Sequence, residues 1–125
     1  MRAKEITECE KVVMKCVWDN ENDLSMQQIT ELVNTRFGKD WKTQTVSTFL
    51  ARLVKKGYLQ MYRKGRCFFY SPLVDKDEYK DDVLKDYVQF WNGGSMSAFV
   101  SGLFSKKMMS QEEREKIKKQ IEELE

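Results

Sequence analysis

Apolar side chains recur at helical spacing in the first 55 residues of the chain. Three segments, starting near Thr7, Ser25 and Thr43, repeat apolar residues every three or four positions, as amphipathic helices do. Glu10 and Gln28 lie three positions after the first two of these starts, which is the spacing of a capping box. The pattern therefore predicts three helices capped at Thr7, Ser25 and Thr43. Their apolar stripes are Cys9, Val12, Val13, Cys16 and Val17; Met26, Ile29, Leu32 and Val33; and Val46, Phe49, Leu50, Leu53 and Val54.

A short connection precedes the third predicted helix, and a hairpin pattern follows it directly. Residues 38–42, which begin with a helix-ending glycine, have the length of the connection in a helix-turn-helix unit. After Gly57, residues 58–62 and 67–71 are aromatic-rich runs typical of strands, and Gly65 lies where a tight turn requires a positive φ angle. A helix-turn-helix followed by a two-stranded hairpin is a winged helix.

The face of the third helix opposite its apolar stripe is small, polar and basic. In a helix-turn-helix unit the second helix of the pair enters the major groove of DNA. We therefore predict one set of residues that faces base edges, and a second set that neutralises phosphates. The base-reading set is Thr43, Gln44, Thr45, Ser47 and Thr48, and the phosphate-binding set is Lys42, Arg52, Lys55, Lys56, Arg63, Lys64 and Arg66.

The distribution of charge also favours a nucleic-acid partner. Residues 1–74 carry 13 Lys and Arg against 8 Asp and Glu, a net charge of +5, whereas residues 75–125 carry 9 against 12, a net charge of −3. Within residues 39–66, eight basic residues face a single acidic one, Asp40. Solvated surfaces usually mix the two signs, so this bias indicates a surface that faces phosphates.

Residues 75–125 repeat the helical spacing in shorter segments. A unit of about fifty residues buries too little apolar surface to be stable alone, so we predict that a second copy of the chain covers it. The three helices run from the acidic segment 75–82 to the Gly93-Gly94 pair, over residues 95–107, and over residues 111–125 after a third capping box, Ser110 with Glu113. The residues expected between two chains are Tyr87, Val88, Trp91, Phe99, Val100, Leu103 and Phe104.

The predicted fold is mainly α with a small β-hairpin wing. It comprises a winged helix-turn-helix DNA-binding domain over residues 1–74 and a C-terminal three-helix dimerisation domain over residues 75–125.

Composition excludes most catalytic and cofactor chemistry. The 125 residues contain no histidine, so Ser-His and Cys-His pairs and histidine metal triads are excluded. Neither a Gly-x-Gly-x-x-Gly motif nor a Walker loop is present. The three cysteines, Cys9, Cys16 and Cys67, have no paired spacing and are predicted to be small buried side chains. We therefore expect a binding protein with no cofactor and no metal. We also expect it to be cytoplasmic, because no apolar stretch is long enough for a bilayer span or a secretory signal.

Several segments together resemble the penicillinase-repressor family, which comprises the β-lactamase and methicillin-resistance repressors of Gram-positive bacteria. The segments are "ECEKVVMKCVW", "WKTQTVSTFLARLVKKGYL", "KGRCFFYSPLVDKDEY", "NGG" and "SQEE", and they follow one another over nearly the whole chain. The resemblance implies a homodimeric winged-helix repressor of a dyad operator that controls β-lactam-resistance genes. It also implies induction by proteolysis in the dimerisation domain, triggered by a membrane receptor that senses β-lactams.

Two positions depart from that family's pattern. The well-known repressors have Lys-Thr followed two residues on by Arg or Gln where this chain has Gln44, Thr45 and Ser47, so their operator sequence does not transfer. Their cleaved bond joins Asn to Phe, whereas this chain has no Asn in the segment after Gly94. The equivalent bond is Ser101-Gly102 if residues are counted from Gly94, and Gly102-Leu103 if they are counted back from Ser110.

Other functions are compatible with a winged helix. Copper-responsive repressors resemble the same N-terminal pattern but end in a cysteine-rich motif, and this chain has no cysteine after Cys67. There are two alternatives to a proteolytically induced repressor. One is a winged-helix module that binds an acidic protein surface, and the other is a ligand-responsive regulator that is not cleaved.

Overall fold

The computed structural model describes residues 4–105 and 107–124. The described residues form six helices and a small antiparallel sheet, which confirms the predicted fold class. Residues 106 and 125, which fall within the predicted fifth and sixth helices, lie outside the described residues, as do residues 1–3. The elements are α1 (Glu8–Trp18), β1 (Leu24–Ser25), α2 (Met26–Phe37), α3 (Thr43–Lys55), β2 (Leu59–Lys64), β3 (Cys67–Pro72), α4 (Lys76–Asn92), α5 (Met96–Ser105) and α6 (Gln111–Glu123).

Two of the three predicted capping boxes are complete, and at the third the Ser110 hydroxyl accepts from the Glu113 N–H at 3.1 Å. The Thr7 hydroxyl accepts from the Glu10 N–H at 3.2 Å, and the Glu10 carboxylate accepts from the Thr7 N–H at 2.8 Å. Ser25 and Gln28 make the same reciprocal pair at 3.2 and 2.9 Å. Gly38 ends α2 with a φ of 62°, a left-handed conformation that glycine adopts without steric cost. The start of α1 and both ends of α2 are therefore defined by local sequence.

The prediction that Thr43 caps the third helix is wrong. The extended residue before α3 is Lys42, with φ −82° and ψ 157°, so Thr43 already lies inside the first helical turn. Lysine has no side-chain acceptor, and α3 accordingly starts without a side-chain cap hydrogen bond. Some other contact must hold the start of this helix.

The core of the first part of the chain joins the three N-terminal helices to the sheet. Each predicted stripe contributes to it, and Tyr58, Leu59 and Tyr70 join it from the hairpin. Leu24 adds the first strand. The buried residues are Val13, Met14, Cys16, Val17, Leu24, Ile29, Val33, Val46, Leu50, Leu53, Tyr58, Leu59 and Tyr70.

The sheet contains one strand more than the sequence predicts. β3 lies in the centre and pairs antiparallel with β2 on one side and with β1 on the other. The two-residue strand β1 is too short to show an alternating pattern, which is why the sequence does not reveal it. Gly65 has the predicted positive φ, 66°, in the turn between β2 and β3. The hairpin of β2 and β3 is therefore joined to the rest of the domain through the pairing of β3 with β1.

The described chain divides into two compact units between Lys80 and Asp81. The segment after the hairpin belongs to the first unit, because the Trp18 indole N–H donates to the Val74 carbonyl at 2.9 Å. The ring of Tyr79 lies 5.1 Å from that of Trp18, measured between centroids. The first unit thus extends into the first turn of α4.

The second unit contains the rest of α4 together with α5 and α6. Val88 is its one buried apolar side chain among the described residues, at 2 % exposure. Tyr87 and Phe99 make an edge contact with ring centroids 5.8 Å apart. No helix in the described ranges is both long enough and apolar enough to cross a membrane.

Candidate nucleic-acid interface

The outer face of α3 is largely exposed over its first two turns. Thr43, Gln44, Thr45 and Thr48 are exposed, and Ser47 is half-buried. The Thr48 hydroxyl donates to the Gln44 carbonyl at 3.2 Å, so its proton is already directed back into the helix. Of the predicted base-reading residues, Gln44 therefore presents the longest polar side chain to solvent.

The opposite face of α3 is anchored in the core. Val46, Leu50 and Leu53 are fully buried, and Phe49 packs on Trp41 with ring centroids 5.0 Å apart. Because the buried residues recur at helical spacing, they fix which residues face outward. The rotation of α3 about its own axis is set by these contacts.

Six of the predicted phosphate-binding side chains form an exposed cationic surface. Within residues 4–105 and 107–124, none of the six makes a salt bridge. Arg63 is the most constrained, since its Nε donates to the Gly65 carbonyl at 3.0 Å and its guanidinium lies 5.9 Å from the Phe68 ring centroid. Their charges are therefore available to an anionic partner. The six residues are Lys42, Arg52, Lys55, Arg63, Lys64 and Arg66.

Lys56, the seventh member of the predicted set, is engaged inside the fold. Its Nζ lies 2.6 Å from Oε1 of Glu10, which is 0 % exposed. Burial acts to raise the pKa of the Glu10 carboxyl, but hydrogen bonds from Lys56 and the Thr7 backbone outweigh burial and lower it. The pair joins the start of α1 to the residue after α3, 46 positions apart, so no local sequence pattern reveals it.

The start of α3 and the wing line the same open groove. Its volume is about 430 Å³, and Thr43 on α3 and Cys67 and Phe68 on β3 contribute to its walls. The start of α2 supplies the remaining lining residues, Ser25, Met26 and Gln27. Since Lys64 pairs with Cys67 in the hairpin register, the basic turn of the wing adjoins this groove. The structure therefore brings the predicted helix and the predicted basic loop together on one side.

A side-chain contact also holds the wing to the segment before β1. The Tyr62 hydroxyl donates to the Asp23 carboxylate at 2.5 Å, and the Tyr62 ring stacks on Phe69 at 6.0 Å. The hydrogen bond to Asp23, with desolvation of the phenol, raises the pKa of Tyr62. This contact spans 39 positions and was not predicted from the sequence.

The cysteines differ from one another in burial. Cys16 is buried as predicted and Cys9 is half-buried, but Cys67 is exposed, so the prediction for that residue is wrong. Cys67 is the first residue of β3, next to the wing turn. In the described part of the chain, no group of three His, Cys, Asp or Glu side chains is placed to hold a metal ion.

The second unit leaves most of its apolar side chains uncovered. Among the residues predicted to lie between two chains, Tyr87, Trp91 and Val100 are exposed and Trp91 reaches 68 %. Val88 is already buried within one copy. The remaining three, Phe99, Leu103 and Phe104, are half-buried on α5.

The residues at the predicted cleavage bond all lie within α5. Ser101 is exposed, whereas Gly102 and Leu103 are half-buried. The Ser105 hydroxyl donates to the Gly102 carbonyl at 3.3 Å.

Comparison with known proteins places this geometry in a family. The model of the penicillinase repressor family matches residues 6–123. The penicillinase repressor of Bacillus licheniformis is 29% identical over 119 residues, which cover 95% of this chain and 91% of the relative. The methicillin resistance regulatory protein MecI of Staphylococcus aureus (strain N315) is 27% identical over 114 residues, covering 91% and 90%.

A solved structure is similar in fold as well as in sequence. It is the solution structure of the monomeric form of BlaI from Bacillus licheniformis in complex with the blaP half-operator. It matches with a TM-score of 0.51 and 33% identity, and covers 62% of this chain and 92% of that one. The chain belongs to the penicillinase repressor family, whose members are DNA-binding regulators and not enzymes.

Proposed function

We propose that this chain is a homodimeric transcriptional repressor that binds a dyad operator in double-stranded DNA in the cytoplasm. The observation that carries the proposal is the exposed polar face of α3, together with cations on the helix and the wing that make no salt bridge within the described residues. The relative bound to a half-operator supports it. In this proposal α3 lies in the major groove, and the wing turn binds the flanking backbone.

The two sets of side chains have different tasks on DNA. A glutamine can make a bidentate pair with adenine, which carries sequence information, whereas an arginine on a phosphate carries charge alone. Gln44→Ala should therefore cost about 1 to 3 kcal/mol on the preferred operator and relax the preference at one base pair. Arg66→Ala should weaken binding to all sequences alike. Binding of both variants to an operator library measures the difference, and an equal uniform loss for both would contradict this division.

The uncovered surface of the second unit supports dimerisation through this unit. Trp91 and Phe90 are 68 and 77 % exposed in one copy of the chain. Contact between this apolar surface and water is unfavourable, and its burial against a second copy would be favourable. An obligate interface buries about 2,000 Å² or more and resembles a divided core. We propose that the exposed and half-buried apolar residues of α4 and α5 form this interface, with Val88 packed beneath it inside each copy.

The regulated genes in this proposal are β-lactam-resistance genes, and induction is by cleavage in α5 through a membrane β-lactam receptor pathway. Bonds inside a helix resist proteases until the helix opens, so cleavage requires local opening of α5.

In β-lactam-exposed cells we expect a fragment ending at Ser101 or Gly102 to appear as operator occupancy falls. Mass spectrometry of the chain, alongside occupancy measurements, tests this. Derepression with every chain intact would indicate instead a ligand or partner that acts without cleavage.

A further inference from the structure

The Asn34 side chain on α2 hydrogen-bonds to both backbone groups of Trp41, the residue before the N-cap of α3. The Asn34 amide donates from Nδ2 to the Trp41 carbonyl at 2.9 Å, and its Oδ1 accepts from the Trp41 N–H at 2.9 Å. Both distances are ideal for N–H···O hydrogen bonds. Asn34 therefore pairs with Trp41 as a neighbouring strand would, and fixes the backbone there.

This contact stands where α3 lacks a cap of its own. The hydroxyls of Thr7, Ser25 and Ser110 cap α1, α2 and α6, whereas the N-cap of α3, Lys42, makes no side-chain cap hydrogen bond. Trp41 is the residue immediately before Lys42. The start of α3 is thus held from the neighbouring helix and not by its own first turn.

The Trp41 side chain adds a second attachment. Its ring packs on Phe49, which lies within α3, at 5.0 Å between centroids. Asn34, Trp41 and Phe49 therefore connect α2 to the turn and the turn to α3. None of the three belongs to the sets assigned to base reading or phosphate binding.

We propose that Asn34 is the positioning residue for base reading by α3, an inference that rests on the proposed function. Direct contacts to base edges require the reading side chains to be held within about 0.5 Å of their productive position. Contacts from long, flexible lysine and arginine side chains to phosphates tolerate larger displacements and carry no sequence information. Loss of the Asn34 contact should consequently lower sequence selectivity more than overall DNA affinity.

The test compares Asn34→Ala and Asn34→Asp with a neighbouring control, Thr35→Ala, in the full chain. The aspartate keeps an acceptor for the Trp41 N–H but places a carboxylate oxygen against the Trp41 carbonyl oxygen, so its effect should be at least as large as that of Asn34→Ala. Thr35 is exposed, and in the described part of the chain its hydroxyl donates within α2, to the carbonyls of Glu31 and Leu32. The dissociation constants are measured for an operator recovered from genomic fragments and for an unrelated duplex of equal length, over a range of salt.

For Asn34→Ala we expect the ratio of non-specific to specific dissociation constants to fall about tenfold, the effect of losing two hydrogen bonds. Non-specific affinity and its salt dependence should stay within about twofold of the wild type, because the phosphate contacts remain. Thr35→Ala should change neither quantity. A wild-type ratio in Asn34→Ala, or equal losses on both duplexes, would overturn the proposal.

Amide hydrogen exchange measured without DNA tests the contact between Asn34 and Trp41 independently of the proposed function. In the wild type the Trp41 N–H should be protected, and in Asn34→Ala its exchange should be faster while that of core amides such as Leu50 is unchanged. Equal Trp41 exchange in both proteins would refute the Asn34 contact even if Asn34→Ala binds DNA poorly because it is partly unfolded. If the wild type itself prefers no sequence, the proposed function fails, and with it the assigned task of Asn34.

Discussion

Replacing Trp91 with glutamate should lower the affinity of the chain for a dyad operator by about 100-fold or more. A dimer gains this factor because its second half-site contact is tethered to the first. Trp91 is 68 % exposed in one copy, so a carboxylate there stays solvated in the monomer. Between two copies the same carboxylate would be buried without a partner, which disfavours the dimer. Sedimentation of the variant and its binding to dyad and half-site duplexes measure the two effects.

Leu73→Glu is the matched control for this prediction. Leu73 is also an exposed apolar residue, at 57 %, but it lies in the first unit and outside the predicted interface. The control should remain dimeric and bind the dyad as the wild type does. Half-site affinity should be unaffected in both variants. A Trp91→Glu protein that is still dimeric, or a wild type that is monomeric at micromolar concentration, would contradict the assignment of this surface.

Lys56→Met should destabilise the first unit by about 3 kcal/mol, because removing one partner of a buried ion pair leaves the other charge buried. Glu10 is 0 % exposed, and among the described residues its Oε2 already has no hydrogen-bond partner. Lys55→Met is the matched control, since Lys55 is the exposed neighbour and is assigned to phosphates. Denaturant unfolding should show the loss for position 56 only, and DNA binding should show a loss of affinity for position 55. Equal stability of the two variants would refute the structural role of Lys56.

The pH dependence of stability tests the same pair independently. The pKa of Glu10 is lower in the folded chain than its ordinary value of 4.5, so the stabilisation is complete above that value. It is lost as the pH falls through the folded-state pKa. The stability difference between the wild type and Glu10→Gln should therefore shrink as the pH is lowered from about 6 to about 3. A difference that stays constant over this range would show that the ionised carboxylate contributes nothing.

Local patterns in the sequence predict the elements that depend on local contacts. The apolar spacing in α3 identifies Val46, Leu50 and Leu53 as its buried face, and all three are fully buried. The Thr7 and Ser25 capping boxes form because donor and acceptor lie three residues apart in one turn. The outward direction of Gln44 and its neighbours follows from the same periodicity.

Contacts between distant positions are the part that sequence patterns do not predict. Lys56 lies on a basic stretch and was assigned to phosphates by charge alone, whereas its partner Glu10 is 46 positions away. The Asn34 contact with Trp41 spans a turn whose conformation no periodicity describes. The predicted N-cap of α3, Thr43, lies one residue after the observed N-cap, Lys42, because the choice of N-cap depends on this held backbone as well as on the residue type.

Binding of the intact chain to a dyad operator over a range of salt concentrations tests the central claim most directly. The operator would be recovered by selecting genomic fragments on the protein, and an unrelated duplex of equal length serves as reference. Each neutralised phosphate contributes about −0.9 to the slope of log K against log salt, so about three or more neutralised phosphates per chain predict a slope of about −5 or steeper for two chains. We expect this slope, two chains per dyad, and a clear preference for the recovered sequence. A shallow slope with no sequence preference would contradict it and favour a module that binds an acidic protein surface.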